Sequence, residues 1–109
     1  MNFKKLLKFI EQEDKRLITY YGGALDNKKR ILARTVKLTE ELGELCNEVL
    51  FSLSLQRKGK VDTHDAKNLP EEFADVLITA LLLAKTMNVD IPGALQAKMK
   101  KIEKRYKKN

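Results

Sequence analysis

Two acidic clusters lie in the middle of the sequence, and each repeats a carboxylate three residues after another. They read Glu40-Glu41-Leu42-Gly43-Glu44 and Glu71-Glu72-Phe73-Ala74-Asp75. Residues three apart are neighbours on a helix surface, so each cluster can present two carboxylates side by side. Carboxylate oxygens gathered in this way are the ligands that hard divalent cations take in proteins.

Both acid pairs occupy the same position relative to the apolar face of their predicted helix. With Glu41 at zero on a helical wheel, Glu44 falls at about 300° and the nearby apolar residues at roughly 40° to 100°. With Glu72 at zero, Asp75 also falls at about 300°, beside apolar residues at roughly 40° to 140°. Packing these faces together would gather four carboxylates, whose repulsion near a low-dielectric interior calls for a cation. The spacing therefore predicts a metal site at Glu41, Glu44, Glu72 and Asp75.

The available ligands favour Mg²⁺ or Mn²⁺, which bind oxygen. The chain has one cysteine, Cys46, and one histidine, His64, which lies in a predicted loop. This composition argues against zinc, and the absence of a Glu-x-x-His pair argues against a di-iron site. The ordinary alternative is a solvated acidic helix face. Glu71 and Glu72 also suit the first turn of a helix, where acids are favourable.

An uneven charge distribution accompanies the acids. The net charge is +7, of which residues 1–34 carry +5, residues 35–75 carry −4 and residues 76–109 carry +6. A uniformly basic chain would suggest attraction to nucleic acid or to an anionic membrane, whereas an acidic centre between basic ends suggests a cation with a bound anion. The pattern favours a site for a metal and a polyphosphate.

The elements that must position these residues are four predicted helices. They run from about residue 2 to 21, from residue 26 or 27 to near 56, from residue 68 to about 87, and from residue 90 into a lysine-rich tail. Apolar residues recur at helical spacing, and no stretch alternates with the period of a strand. The sequence predicts one all-α domain over residues 1–109. Its four-helix bundle-like fold is expected to assemble as a dimer or tetramer, which would bury its apolar faces.

The composition and sequence also indicate the cellular compartment. A single cysteine excludes an intramolecular disulfide, so nothing indicates an oxidising compartment. Residues 1–10 mix lysine with apolar residues and are followed at once by acids, which is unlike a signal peptide. The longest apolar stretch, residues 76–84, is far shorter than the ~20 residues of a membrane span. We expect a cytoplasmic protein without a membrane segment.

The acidic clusters and the residues after them resemble the MazG-type, all-α nucleoside triphosphate pyrophosphohydrolases. The family pattern is Glu-Glu-x-x-Glu, a gap, and then Glu-x-x-Asp. Here Glu40, Glu41 and Glu44 are followed by 27 intervening residues and then by Glu72 and Asp75. The resemblance covers about residues 30–106 and includes residues 76–78, residues 88–92 and the basic ending at residues 98–106. The order, the gap and the basic ending together are fairly specific.

The resemblance implies that Mg²⁺ coordination and catalysis are carried by Glu41, Glu44, Glu72 and Asp75. It implies hydrolysis of a nucleoside or deoxynucleoside triphosphate between the α and β phosphates, giving monophosphate and pyrophosphate. Lys98 and Tyr106 match positions that contact the nucleotide in relatives, which form dimers or tetramers with the site near the interface. The chain differs at Ile102, where relatives often carry Asn. Nucleotide recognition at that position must therefore differ.

The last predicted helix carries a basic face. Lys98, Lys101 and Arg105 are spaced three and seven apart, so one side of the helix can meet phosphate oxygens. With Tyr106 they are the predicted substrate-binding residues, and a solvated basic face is the alternative. Glu40 and Glu48 are candidates for orienting a water molecule, although the wheel favours a solvent-facing Glu40.

Three alternatives stay open. A basic helical protein that binds nucleic acid or has a regulatory role would explain the net charge but not the paired acids. A catalytically inactive MazG-like module would retain the bundle, and Ile102 is compatible with it. Within the enzymes, phosphoribosyl-ATP pyrophosphohydrolase shares the carboxylate pattern.

Overall fold

The computed structural model describes residues 1–22, 26–53 and 68–107, and these residues form four α-helices and no strand. The helices are α1 (Phe3–Leu17), α2 (Asn27–Ser52), α3 (Asn68–Thr86) and α4 (Ile91–Lys104), and a π-helical turn at Ile18–Gly22 continues α1. The prediction of an all-α fold is confirmed. The predicted end of the second helix near residue 56 and the predicted loop with His64 lie outside the described residues.

Side-chain caps explain why three of the helices begin where they do. The Asn2, Asp26 and Asp90 side chains accept hydrogen bonds from backbone N–H groups three residues later, at 2.9, 2.8 and 3.2 Å. Each cap satisfies one of the N–H groups that a helix start leaves without a partner. Between α3 and α4, Asn88 adopts a positive φ of 57°, a conformation that asparagine tolerates and that ends α3.

The main packing contact is between α2 and α3, which form an antiparallel pair, and α1 lies against α3. Among the described residues, only two apolar side chains are buried, Ile10 of α1 and Leu82 of α3. None of the residues of α4 is buried. The radius of gyration is 17.5 Å, against about 13 Å for a compact chain of this length. Among the described residues, a single chain therefore does not close a bundle core.

The predicted apolar face of α4 is exposed to solvent. Its exposed side chains are Leu95, Met99, Ile102 and Tyr106. Within the described ranges, no helix combines the length and the hydropathy that crossing a membrane requires.

A polar contact joins α1, α2 and α3. The Arg34 guanidinium nitrogen Nη1 donates to Asp14 Oδ1 at 2.6 Å, which ties α2 to α1. It also donates to the Leu82 carbonyl at 3.2 Å and lies 2.5 Å from Thr86 Oγ1, which ties α2 to α3. The Arg34 and Asp14 side chains are largely buried. Charge-assisted hydrogen bonds in such surroundings are among the stronger polar contacts in proteins.

The same contact fixes the register of α2 against α3. Arg34 meets Leu82, and seven residues further along α2 lies Glu41, while seven residues back along α3 lies Asp75. Because the two helices are antiparallel, equal steps in opposite directions keep residues at the same level. The acidic cluster of α2 and the acidic cluster of α3 therefore lie side by side.

Candidate metal centre

Three of the four predicted metal ligands come together between α2 and α3. Glu41, Glu72 and Asp75 each offer a carboxylate oxygen, and these three oxygens lie within 4.8 Å of one another. Glu41 is buried, at 7% exposure, whereas Glu72 is half-buried and Asp75 is exposed. The cluster therefore extends from the interior of the helix pair to solvent, and a ligand can enter from the side of Asp75.

Two buried carboxylate oxygens of the cluster, Glu41 Oε2 and Glu72 Oε2, have no hydrogen-bond partner. The other oxygen of Glu41, Oε1, lies 3.3 Å from Lys37 Nζ. A buried carboxylate oxygen without a partner is costly, because the interior does not replace the water that it loses. A divalent cation between the carboxylates would supply the missing partner. The residues present therefore fit a metal.

The donor set and its dimensions suit Mg²⁺ or Mn²⁺. All three donors are carboxylate oxygens, which hard cations prefer, and among the described residues no histidine or cysteine joins the group. Oxygens bound to one Mg²⁺ at about 2.1 Å lie roughly 3 to 4 Å apart. The three oxygens, which lie within 4.8 Å of one another, are close to that spacing.

Glu44, the fourth predicted ligand, is exposed and lies outside the group of three. The register of the helices places it opposite Glu72, and its charge acts on that carboxyl more strongly than any other. Glu48 follows one turn later and is as buried as Glu41, at 7% exposure. Glu41 and Glu48 are the only buried residues of α2, so acids occupy the centre of its contact with α3. The helical wheel places them at the border of the apolar face, of which Leu38, Leu45 and Val49 are half-buried.

The pKa of the Glu72 carboxyl is raised above its ordinary value of 4.5. Burial is the largest cause, because it disfavours the charged form. The other causes are the charges of Glu44, Asp75, Glu41 and Glu48, in decreasing order. After burial, all of the causes are acidic neighbours, and a bound cation would balance their negative charge.

We expect Glu72→Gln to stabilise the metal-free protein at neutral pH. The raised pKa means that the folded state binds the Glu72 proton more tightly than the unfolded chain does. The contribution of the Glu72 carboxyl to the free energy of unfolding therefore falls as the pH rises from 4.5 through the raised pKa of the folded state. Glutamine carries no charge at any pH, so the Glu72→Gln variant does not lose this stability as the pH rises.

Thermal unfolding in the presence of a chelator, from about pH 4 to about pH 8, measures this effect. The melting temperature of Glu72→Gln minus that of the wild type should increase as the pH rises. Glu71→Gln is the matched control, since Glu71 is the exposed neighbour in the same helix. An equal gain in the control would show that the effect does not come from the cluster.

Lys37 is a functional candidate that the sequence analysis does not include. Its ammonium lies 3.3 Å from Glu41 Oε1 and 3.7 Å from Glu40 Oε2. The hydrogen bond to Glu41 is the main reason that the pKa of Lys37 is raised, followed by the charges of Glu41 and Glu40. The sequence signal for this contact is the spacing of four residues between Lys37 and Glu41. Lys37 places a positive charge at the exposed edge of the acidic cluster.

The four predicted substrate-binding residues lie on α4 or directly after it. They are Lys98, Lys101, Arg105 and Tyr106, and all are exposed. Within the described residues, no hydrogen bond or ion pair joins them to Glu41, Glu72 or Asp75. The structure thus brings metal-binding candidates together and leaves the basic face of α4 open to solvent.

Comparisons with known proteins identify the family of the chain. Residues 29–109 match the family model of the MazG nucleotide pyrophosphohydrolase domain, and this segment contains both acidic clusters. The chain is 35% identical to the uncharacterized protein YpjD of Bacillus subtilis (strain 168) over 103 residues, which cover 94% of this chain and 88% of YpjD. No solved structure shows a significant match. The chain belongs to the MazG nucleotide pyrophosphohydrolase family.

Proposed function

We propose that this protein is a Mg²⁺-dependent nucleoside triphosphate pyrophosphohydrolase. It cleaves a nucleoside or deoxynucleoside triphosphate between the α and β phosphates, and the products are the monophosphate and pyrophosphate. The observation that supports this most is the group of three carboxylate oxygens within 4.8 Å, two members of which have a buried oxygen without a partner. Membership of the family directs the proposal to this reaction.

We propose that the metal ligands are Glu41, Glu44, Glu72 and Asp75. Bound Mg²⁺ or Mn²⁺ supplies neutralisation of the phosphate charge and a bound water of lowered pKa. Glu41 and Glu72 hold their carboxylates in place because both side chains lie in the contact between two packed helices. Asp75 and Glu44 are exposed and lie where the triphosphate would arrive.

Two residues beside the ligands have supporting roles in this proposal. Lys37 hydrogen-bonds Glu41 and keeps one carboxylate oxygen turned towards it, so the other oxygen is the one left for the metal. Glu48 lies one turn beyond Glu44 and is buried, which suits a residue that holds its neighbours in position rather than one that contacts substrate.

Nucleotide binding is proposed for the basic face of α4. Lys98, Lys101 and Arg105 supply positive charge for phosphate oxygens, and Tyr106 supplies an aromatic face for the base. Their exposure supports this role, because nothing among the described residues has to move before they can bind. Ile102 lies on the same helix and contributes an apolar contact instead of a hydrogen bond.

The protein is further proposed to work as a homo-oligomer in the cytoplasm. Burial of only Ile10 and Leu82 among its described apolar residues leaves the single chain with less core than an isolated domain needs. A single cysteine and a nucleotide substrate fit a reducing compartment.

A panel of the common nucleoside and deoxynucleoside triphosphates tests the function, with Mg²⁺ or with a chelator. We expect monophosphate and pyrophosphate in equal amounts, and only with the metal. An analogue with a methylene between the α and β phosphates should resist cleavage, whereas the β,γ-methylene analogue should be cleaved. Release of inorganic phosphate and the nucleoside diphosphate would contradict cleavage between the α and β phosphates. No turnover of any substrate by a protein that still binds Mg²⁺ would show an inactive module.

A further inference from the structure

Within the described ranges, one positive charge forms an ion pair with the three carboxylates of the candidate metal centre, and it belongs to Lys37. The Lys37 ammonium lies 3.3 Å from Glu41 Oε1 and 3.7 Å from Glu40 Oε2. The next cation along the same side of α2, Arg34, forms its ion pair with Asp14 of α1 instead. In the metal-free protein, Lys37 therefore supplies the positive charge at this site.

The position of Lys37 in α2 brings it to the acids. With Glu41 at zero on a helical wheel, Lys37 falls at about 320°, between Glu44 at about 300° and Glu48 at about 340°. The lysine thus lies on the same side of the helix as the acids, one turn before the first of them. Its side chain reaches back along that side to Glu41, as residues four apart in a helix can.

The contact between Lys37 and Glu41 joins an exposed group to a buried one. The Lys37 side chain is 59% exposed, whereas that of Glu41 is 9% exposed. The ammonium covers only one oxygen of the carboxylate, since Glu41 Oε2 is buried and has no hydrogen-bond partner. A lysine ammonium is a compact charge on a flexible stem. Lys37 therefore offsets charge from the solvent side and leaves the inner oxygen of Glu41 open.

The lysine charge is small compared with the negative charge around it. Four acids act electrostatically on the Glu72 carboxyl, and they are Glu44, Asp75, Glu41 and Glu48. A single ammonium reduces this repulsion, but it also repels any cation that comes to the same place. At a separation of roughly 6 Å in water, a unit charge weakens the binding of a divalent cation about tenfold. One side chain thus favours the empty centre and opposes the filled one.

We propose that Lys37 is the counter-ion of the empty metal centre and lowers the affinity of the centre for divalent cations. This inference rests on the proposed function, because it requires that the carboxylates bind a metal. The proposed function gives Lys37 the orientation of Glu41, and the role added here is electrostatic. Without metal, the ammonium stabilises the contact between α2 and α3. With metal, it raises the cation concentration at which the centre fills.

The affinity for Mn²⁺, measured by titration calorimetry on the metal-free protein, tests this role. Lys37→Met removes the charge and keeps an unbranched side chain, so the dissociation constant should fall by roughly three- to tenfold. Lys37→Arg keeps the charge and should stay within about twofold of the wild type. Lys29→Met removes an exposed lysine about two turns earlier in α2, and it should bind Mn²⁺ as the wild type does.

Melting temperatures with a chelator and with saturating Mn²⁺ separate this role from a purely structural one. Lys37→Met should melt below the wild type in the chelator, because the acids lose their counter-ion. The deficit should shrink with Mn²⁺, since a ligand stabilises most the variant that binds it most tightly. Loss of packing alone would lower both melting temperatures equally and would not tighten binding. Circular dichroism should show unchanged helix content, because lysine and methionine have similar helix propensities.

Unchanged or weaker Mn²⁺ binding by Lys37→Met would overturn the proposal. Equal tightening in Lys37→Arg would overturn it too, because the charge would then not be the cause. A wild type that binds no Mn²⁺ would remove the metal centre and this role together. A wild type that binds Mn²⁺ but cleaves no nucleotide would refute the proposed reaction alone, since the comparison of affinities does not depend on turnover.

Discussion

Replacing Glu41 with Gln, or Asp75 with Asn, is expected to reduce Mg²⁺-dependent pyrophosphate release by about 100-fold or more. Each substitution keeps the size of the side chain and removes one negatively charged, proposed metal ligand from a group whose oxygens lie within 4.8 Å of one another. Glu41 comes from α2 and Asp75 from α3, so the pair tests whether both helices contribute to one site. Turnover by each purified variant, measured by pyrophosphate release with Mg²⁺, gives the answer.

Folding must be separated from catalysis in this experiment. Both variants should keep the melting temperature of the metal-free wild type or exceed it, because each removes a charge from a repulsive cluster. Glu40→Gln is the matched control, since Glu40 is the exposed neighbour of Glu41 in the same helix. It should retain wild-type turnover. Full turnover by both Glu41→Gln and Asp75→Asn would remove the enzymatic interpretation of the cluster.

Replacing Arg34 with Met is expected to lower the free energy of unfolding by about 3 kcal/mol. The Arg34 and Asp14 side chains are 11% and 15% exposed, and their 2.6 Å contact joins α1 to α2. Methionine fills similar space but leaves Asp14 largely buried without its partner, and it removes the hydrogen bond to the Leu82 carbonyl. That is a large share of the ~5 to 15 kcal/mol that stabilises a typical domain. Denaturant unfolding measures it.

Arg16→Met is the matched control for Arg34→Met. Arg16 forms an ion pair of 2.8 Å with Glu13, but the Arg16 side chain is half exposed, and such surface pairs contribute at most about 1 kcal/mol. The double variant Arg34→Met with Asp14→Asn should recover part of the loss, because the buried charge is removed with its partner. Equal losses in Arg34→Met and Arg16→Met would show that the contact between the three helices does not stabilise the fold.

The sequence predicts the helices because their signals are local. Asp26 and Asp90 are caps whose side chains reach N–H groups three residues away, so both helix starts can be read without knowledge of the rest of the fold. The convergence of Glu41 with Asp75 follows from periodicity and from an antiparallel connection of sufficient reach. These inferences need only one helix at a time, or two helices joined by a loop.

The sequence does not reveal how deeply the acids of α2 are buried. The wheel centres the contact on leucines and places the acids at its border, whereas the most buried residues of α2 are Glu41 and Glu48. Charge usually argues against burial, so hydrophobic periodicity alone does not predict that these acids are more buried than the leucines beside them. The role of Arg34 is not predicted from the sequence either, because its three hydrogen-bond acceptors belong to residues 14, 82 and 86, which are far from it in the sequence.

α4 shows a further limit of periodicity. Its apolar stripe correctly predicts a helix at Ile91–Lys104 but suggests burial, while Leu95 and Met99 remain about half exposed in the single chain. An amphipathic pattern indicates that the apolar face of a helix packs against a partner. It does not indicate whether that partner belongs to the same chain or to another copy. The exposed faces of α2 and α4 are thus consistent with assembly, which the pattern alone does not locate.

Locating a bound divalent cation tests the central claim most directly. Crystals of the wild-type protein grown with Mn²⁺, and analysed by anomalous scattering, would show where the ion binds. We predict a peak within bonding distance of carboxylate oxygens from both α2 and α3, with Glu41, Glu72 and Asp75 among the ligands. Peaks confined to single exposed carboxylates, or an ion bound by residues of only one of the two helices, would contradict it.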